Sequence, residues 1–177
     1  TQEAAEAAGT IAVAKIAYVG SDNGEAAPYN HGLALAMSDA SSGDFLKWRT
    51  SASDAGHTKQ TDSSNFTSES GLQYNATHNS DEYPAFKAAI ANNSTAAPTG
   101  CSAWFLPSGY QWKQMISAYG PSNLTTTAGG YTGLRSLFYW SSSEDDADRA
   151  WCFDAVVGVW LNDSKTGNGR IRAFLAF

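Results

Sequence analysis

Apolar residues in this chain come only in short runs separated by Ser-, Thr-, Asn- and Gly-rich stretches. A membrane helix needs about 20 consecutive apolar residues, and the longest candidate, Thr10 to Val19, is interrupted by Lys15. Such punctuation permits short strands and helices joined by long loops and excludes a membrane span. With 177 residues the chain can bury a core without staples, and a single domain is expected. Charged residues are only 16%, and 17 acids against 11 bases give a net charge of −6. No basic face is available to attract phosphates, so nucleic acid is excluded as a partner.

Residue 1 is Thr, and Gln2 to Ala8 carries no basic, apolar leader pattern. The start therefore reads as a processing boundary, the chain as the C-terminal part of something longer, and residues 1–9 as a flexible arm before a domain over 10–177. The β-branched stretch from Thr10 to Val19, ended by Gly20, Ser21 and Asp22, predicts a strand, as does the closing segment Arg170 to Phe177. Long strands at both ends predict that the termini pair with each other. Gly32 to Met37 reads as a buried strand. Thr50 to Ser80 is too polar for core and reads as a surface excursion.

Two helices are expected. Asp81 to Asn92 puts Tyr83, Phe86 and Ile90 at helical spacing behind a Ser80 or Asp81 cap. In the second, Ser108 and Gln111 form a capping-box pattern, Trp112, Met115, Ile116 and Tyr119 line one face, and Gly120-Pro121 stops it. Leu137-Phe138-Tyr139-Trp140 then opens another strand. Gly158 marks a turn between Trp151-Cys152-Phe153-Asp154 and Val159-Trp160-Leu161, the pattern of a hairpin. If Trp151, Phe153 and Trp160 face the core, alternation turns Cys152, Asp154, Val159 and Leu161 outward.

Several segments form a set: His31-Gly32-Leu33-Ala34-Leu35-Ala36, Trp104-Phe105-Leu106-Pro107-Ser108, Tyr139-Trp140-Ser141-Ser142-Ser143-Glu144, Ala150-Trp151, and Arg170 to Phe177. In this order, and over nearly the whole chain, they resemble bacterial and phage surface proteins with a C-type-lectin-like fold, which include the variable proteins of diversity-generating retroelements. The resemblance implies an α+β architecture with paired N- and C-terminal strands, two helices, and a second small antiparallel sheet carrying the ligand face.

In retroelement-diversified members, a C-terminal region is rewritten at adenines, mostly at Asn codons. This chain is similar to that frame at Ala150, Trp151, Gly158, Lys165, Arg170 and Arg172, which makes about 150–172 the variable region. The slots where Asn would recur hold Cys152, Asp154, Val157, Val159, Leu161, Asn162, Asp163, Ser164, Thr166, Gly167 and Gly169. Randomising the first two bases of an Asn codon cannot yield Trp, Lys, Glu, Gln or Met, and no slot holds one. That many ordinary residues would escape those five types about one time in ten. Trp140, Trp151, Phe153, Trp160, Arg170 and Arg172 would be the scaffold beneath. The competing reading makes Val157, Val159 and Leu161 ordinary strand residues packed under a loop.

The acidic run Glu144, Asp145, Asp146 and Asp148 could hold calcium through oxygen ligands, and Trp160-Leu161-Asn162-Asp163 faintly resembles a lectin calcium signature with one residue inserted. Both depart from the motifs, so a solvated turn is expected and no cofactor is required. His31 reads as a strand or turn residue, and His57 and His78 as polar-loop residues, without zinc-ligand spacing. Cys101 and Cys152 allow one disulfide or two unpaired core thiols. Formylglycine-generating enzymes share the broad fold class and use a cysteine pair, but the polar constellation they need is not visible, so catalysis is not expected. The expectation is a monomeric domain on a cell surface or virion whose C-terminal strands bind a ligand, an apolar centre rimmed by acids favouring a protein. A fimbrial or cell-envelope structural module of the same fold is the alternative.

Overall fold

The computed structural model describes residues 12–135 and 138–177. The expected arm over residues 1–9, the start of the first predicted strand, and Leu137 lie outside them. Among the described residues the longer elements run in the order β1 (Ala14–Val19), β2 (Gly32–Ala36), β3 (Leu46–Lys47), α1 (Gly71–Thr77), α2 (Pro84–Ala91), α3 (Gly109–Tyr119), α4 (Pro121–Thr125), β4 (Phe138–Glu144), β5 (Arg149–Asp154), β6 (Val159–Ser164), β7 (Asn168–Gly169) and β8 (Phe174–Ala176). The result is a mixed α/β fold with three small antiparallel sheets, β1-β2-β8, β3-β7 and β4-β5-β6.

The terminal strands share a sheet but do not pair: β2 lies between them, with Val19 opposite Gly32 on one side and Leu33 opposite Ala176 on the other. The reason is burial. Every residue of β2 is buried, as is every residue of β8, so the Gly32-Leu33-Ala34-Leu35-Ala36 run suits the central position. Leu33, Leu35, Phe174 and Ala176 feed one core cluster with Trp112 and Phe153, while Ala34, Ala36 and Leu175 feed another with Trp48, Trp104 and Trp140. Gly32 is required here, because a Cβ would lie 2.4 Å from the Phe177 ring.

Helix α3 matches its sequence pattern, with the reciprocal Ser108–Gln111 capping box present. Gly120 and Pro121 end it, yet Pro121 also starts α4, a helix the sequence reading omits, because proline is well suited to a first helical turn. Helix α2 begins at Pro84 behind Tyr83, without a side-chain cap from Ser80 or Asp81.

The largest departure is the stretch from Thr50 to Ser80. It contains α1, and His57, Gln60, Phe66, Glu69, Asn75 and His78 are buried. The polar side chains among them enter the interior because each finds a partner. Asn75 accepts from Leu106 N at 3.0 Å and donates to Leu106 O at 3.2 Å, doing the work of a neighbouring strand. The His57 and Tyr74 rings stack with centroids 3.5 Å apart. Burial pushes the Glu69 carboxyl above its ordinary range, and hydrogen bonds from Ser143 and Tyr74 oppose that rise.

Arg170 and Arg172 tie the last strand to the loop after β2. Arg172 is fully buried, donates to Asp39 through Nε at 2.9 Å, and satisfies the Ala36 and Thr132 carbonyls at 2.9 Å each. Arg170 reaches the other Asp39 oxygen at 3.2 Å, and Tyr139 donates to the same carboxylate. Removing one member strands a buried charge. Asp39→Ala is therefore expected to cost about 3–5 kcal/mol in urea unfolding, with partial recovery in Asp39→Leu combined with Arg172→Met.

Candidate functional site

Strands β5 and β6 form the predicted hairpin, in register from Arg149–Ser164 to Asp154–Val159. Its turn is set by Gly158 in the left-handed region, at φ +73°. The Asp154 carboxylate accepts from Val156 N at 2.9 Å and Val157 N at 3.2 Å, and the Asp154 carbonyl accepts from Gly158 N at 2.9 Å. Asp154 is therefore a turn-holding residue, with one carboxylate oxygen already engaged.

The opposite end of the hairpin is anchored by buried charge. Lys165 immediately follows β6, and Glu144 ends β4; both side chains are fully buried and form an ion pair. Lys165 Nζ also donates to the carbonyls of Ser53, Asp146 and Ala147 at 2.9, 3.0 and 2.7 Å. Glu144 accepts a second ammonium from Lys59, and backbone N–H groups from Ala55 at 2.9 Å and His57 at 3.0 Å. The expected solvated acidic turn is thus corrected at its first two residues. Glu144 is fully buried, and Asp145 is nearly so and accepts from Asn162 at 2.6 Å. Among the described residues no group of three or more His, Cys, Asp or Glu side chains could hold a metal ion.

Burial alone would raise the Glu144 carboxyl, but the donors from Lys165, Lys59 and Ala55 outweigh it and hold it below its ordinary 4.5. Burial pushes Lys165 down against the pull of Glu144. The interior beside the clamp pushes His57 from 6.5 to about 4, chiefly through desolvation and then His78. Its Nδ1 lies 2.9 Å from the Ser142 carbonyl and so carries the proton in the neutral ring.

Between clamp and turn, the sheet presents unequal faces. Trp151 and Phe153 are buried, and Trp160 is half-buried between the rings of Phe153 and Phe66, at 5.2 and 4.7 Å. Phe66 comes from the polar stretch and was not expected to contribute. Four of the seven exposed large apolar side chains among the described residues belong to this hairpin: Val156 57%, Val157 65%, Val159 43% and Leu161 39% exposed. Ile16, Val19 and Phe45 are the other three. Val156 was missed by spacing arguments; adjacent valines in a turn were the available signal.

The remaining candidate positions divide. Cys152 is fully buried in the cluster with Trp48 and Trp140, since β5 is covered on both faces there. It cannot contact a ligand, and burial pushes its thiol up to about 12. Cys101 and Cys152 are both unpaired. Gly169 is also buried: β7 crosses Trp140, and a Cβ at Gly169 would stand 2.8 Å from Trp140 Nε1. Gly167 is confined similarly by the Ser164 carbonyl at 2.9 Å. Asn162, Asp163, Ser164 and Thr166 are half-buried; Asp163 accepts from Ser164 N at 2.7 Å, and the Ser164 and Thr166 hydroxyls lie 2.9 Å apart. Within the β5–β6 hairpin, accessible apolar surface is therefore concentrated on Val156, Val157, Val159 and Leu161.

No family model matches the chain, and no curated protein does. A crystal structure of a fimbrial protein from Bacteroides ovatus ATCC 8483 aligns with TM-score 0.58 at 17% sequence identity. The folds are alike. The alignment covers 92% of this chain and 43% of that one, so the chain spans less than half the length of that fimbrial protein.

The clamp predicts a pH response. His57 and Glu144 both have native pKa values below their unfolded ones, so the unfolded chain takes up protons first on acidification. Their stability contribution is complete above pH 6.5, falls through His57 as pH drops from 6.5 to about 4, and falls further through Glu144 below 4.5. Urea midpoints across this range are expected to decline accordingly. Glu144→Gln should lower stability at pH 7 by about 3–5 kcal/mol and flatten the limb below pH 4.5.

Proposed function

We propose that this chain is a non-catalytic, surface-displayed module of the fimbrial or adhesive type, and that the β5–β6 hairpin is its protein-contact face. The observation carrying this reading is the group of Val156, Val157, Val159 and Leu161, exposed on a hairpin whose base is anchored by the buried Glu144–Lys165 ion pair. Soluble domains seldom expose contiguous apolar side chains without an interacting surface. A rigid base lowers the ordering cost of binding. The likeness to a fimbrial protein supports a cell-surface setting, assembly with protein partners, and the structural-module alternative. The elevated Cys152 pKa argues against thiol chemistry at that residue.

A second reading keeps the C-type-lectin-like ancestry and retroelement diversification. It is favoured by the accessible positions of Val157, Val159 and Leu161, and it excludes Cys152 and Gly169 as freely variable slots because both are packed. A neighbouring reverse transcriptase gene, with a template copy of residues 150–172 differing only at adenines, would establish it.

A photo-crosslinking amino acid at Val157, in the protein displayed by its native cell, is expected to capture a discrete partner. The same group at exposed Lys87 should not. Val159→Asp combined with Leu161→Asp should abolish the cross-link while shifting thermal stability little, since both side chains are exposed. Equal capture from Val157 and Lys87, or capture unaffected by the double substitution, would refute the contact-face assignment.

A further inference from the structure

A second surface, sharing no residue with the hairpin, is built differently. A cleft of about 380 Å³ opens above the Asp39 cluster and is lined by Ser38, Ser42, Asn93, Thr132, Arg135 and Arg170 as well as Asp39. Its volume falls within the range of about 300–1,000 Å³ typical of small-ligand sites. All the lining side chains are polar or charged.

The five non-glycine residues with positive φ among the described residues are Ser41, Ser42, Asn92, Asn93 and Ser94, at φ 53, 55, 35, 54 and 64°. They form two strained turns, and each turn supplies one wall residue of the cleft. The turns are held together by Asn93, whose Oδ1 accepts from Ser42 N at 3.0 Å and whose Nδ2 donates to the Asp39 carbonyl at 2.9 Å. Strain of this kind persists where the surrounding structure enforces it, and it concentrates at ligand sites.

Charge supplies an independent argument. The cleft and its floor hold three guanidiniums, Arg135, Arg170 and Arg172, against the single Asp39 carboxylate, in a protein whose net charge is −6. Asp39 is engaged by Arg170, Arg172 and Tyr139. Arg135 is exposed, and its guanidinium has no protein partner among the described residues. The hydroxyls of Ser38, Ser42 and Thr132 likewise take no protein hydrogen bond there.

We propose that this cleft binds a carboxylate-bearing sugar residue, with Arg135 gripping the carboxylate and Ser38, Ser42 and Thr132 hydrogen-bonding the sugar hydroxyls. The planar guanidinium matches a carboxylate in a two-point contact. The three free hydroxyls suit a ligand that is itself rich in hydroxyls. Free acetate or phosphate offers an anion without a sugar ring, and so would leave unmade the contacts from Ser38, Ser42 and Thr132 to the ring hydroxyls.

Titration of the isolated chain with D-glucuronate, followed by NMR or calorimetry, tests this, with D-glucose, acetate and inorganic phosphate as separate arms. Glucuronate is expected to bind about tenfold or more tightly than each of the other three, and Arg135→Ala to weaken it by about tenfold or more. Thr132→Val should weaken glucuronate while leaving acetate unchanged, and the Val159→Asp, Leu161→Asp double variant should bind glucuronate like the parent. Glucuronate binding no tighter than glucose, acetate or phosphate would overturn the proposal. So would undiminished affinity in Arg135→Ala. Failure of the hairpin as a contact face would leave these results unchanged.

Discussion

The ion pair between Glu144 and Lys165 is the contact on which the C-terminal half of this fold depends. Both side chains are fully buried, and a lone charge in that position would cost several kcal/mol. The surroundings reduce that cost by supplying nearly every polar partner each group can use. Lys165 is surrounded by carbonyls from the segment before β5 and from Ser53, while Glu144 collects Lys59 and the N–H groups of Ala55 and His57. One pair thus joins β4, the end of β6 and the polar stretch after β3. The Asp39 cluster does the same for the segment entering β8.

These two polar centres explain how a chain with few charges holds so many irregular loops. The charges are scarce, but several are used in the interior. Ser141 and Ser143 in β4 are buried alongside Glu144 and find partners on neighbouring elements: Ser141 Oγ donates to the Trp151 carbonyl of β5 at 2.8 Å, and Ser143 Oγ accepts from Gly109 N of α3 at 2.9 Å. Strands with so polar a sequence would ordinarily face water. Here the polar stretch from Thr50 to Ser80 covers them, and Phe66 from the same stretch packs on Trp160 to support the hairpin from beneath.

The hairpin then combines a fixed base with an apolar turn. Charge is hidden where the sheet is anchored, and valine is exposed where the chain reverses. The cleft above Asp39 inverts this arrangement, with polar and cationic side chains open to solvent over a buried ionic floor.

Local chemistry made several elements legible in the sequence alone. The capping box and apolar face of α3, the buried run of β2, and the Gly158 hairpin depend on contacts within a few residues, so composition and spacing suffice to specify them. The exposed positions of Val159 and Leu161 also follow from alternation against Trp160. What only the tertiary structure decided is which polar residues are buried, because that depends on partners distant in the chain: Glu144 with Lys165 and Lys59, Asp39 with Arg172, Asn75 with Leu106. The same long-range packing covers Cys152 on the face that alternation turns outward, places β2 between the terminal strands, and closes Gly169 over Trp140. Periodicity records which way a side chain points along its own strand; it carries no information about what another segment brings to that face.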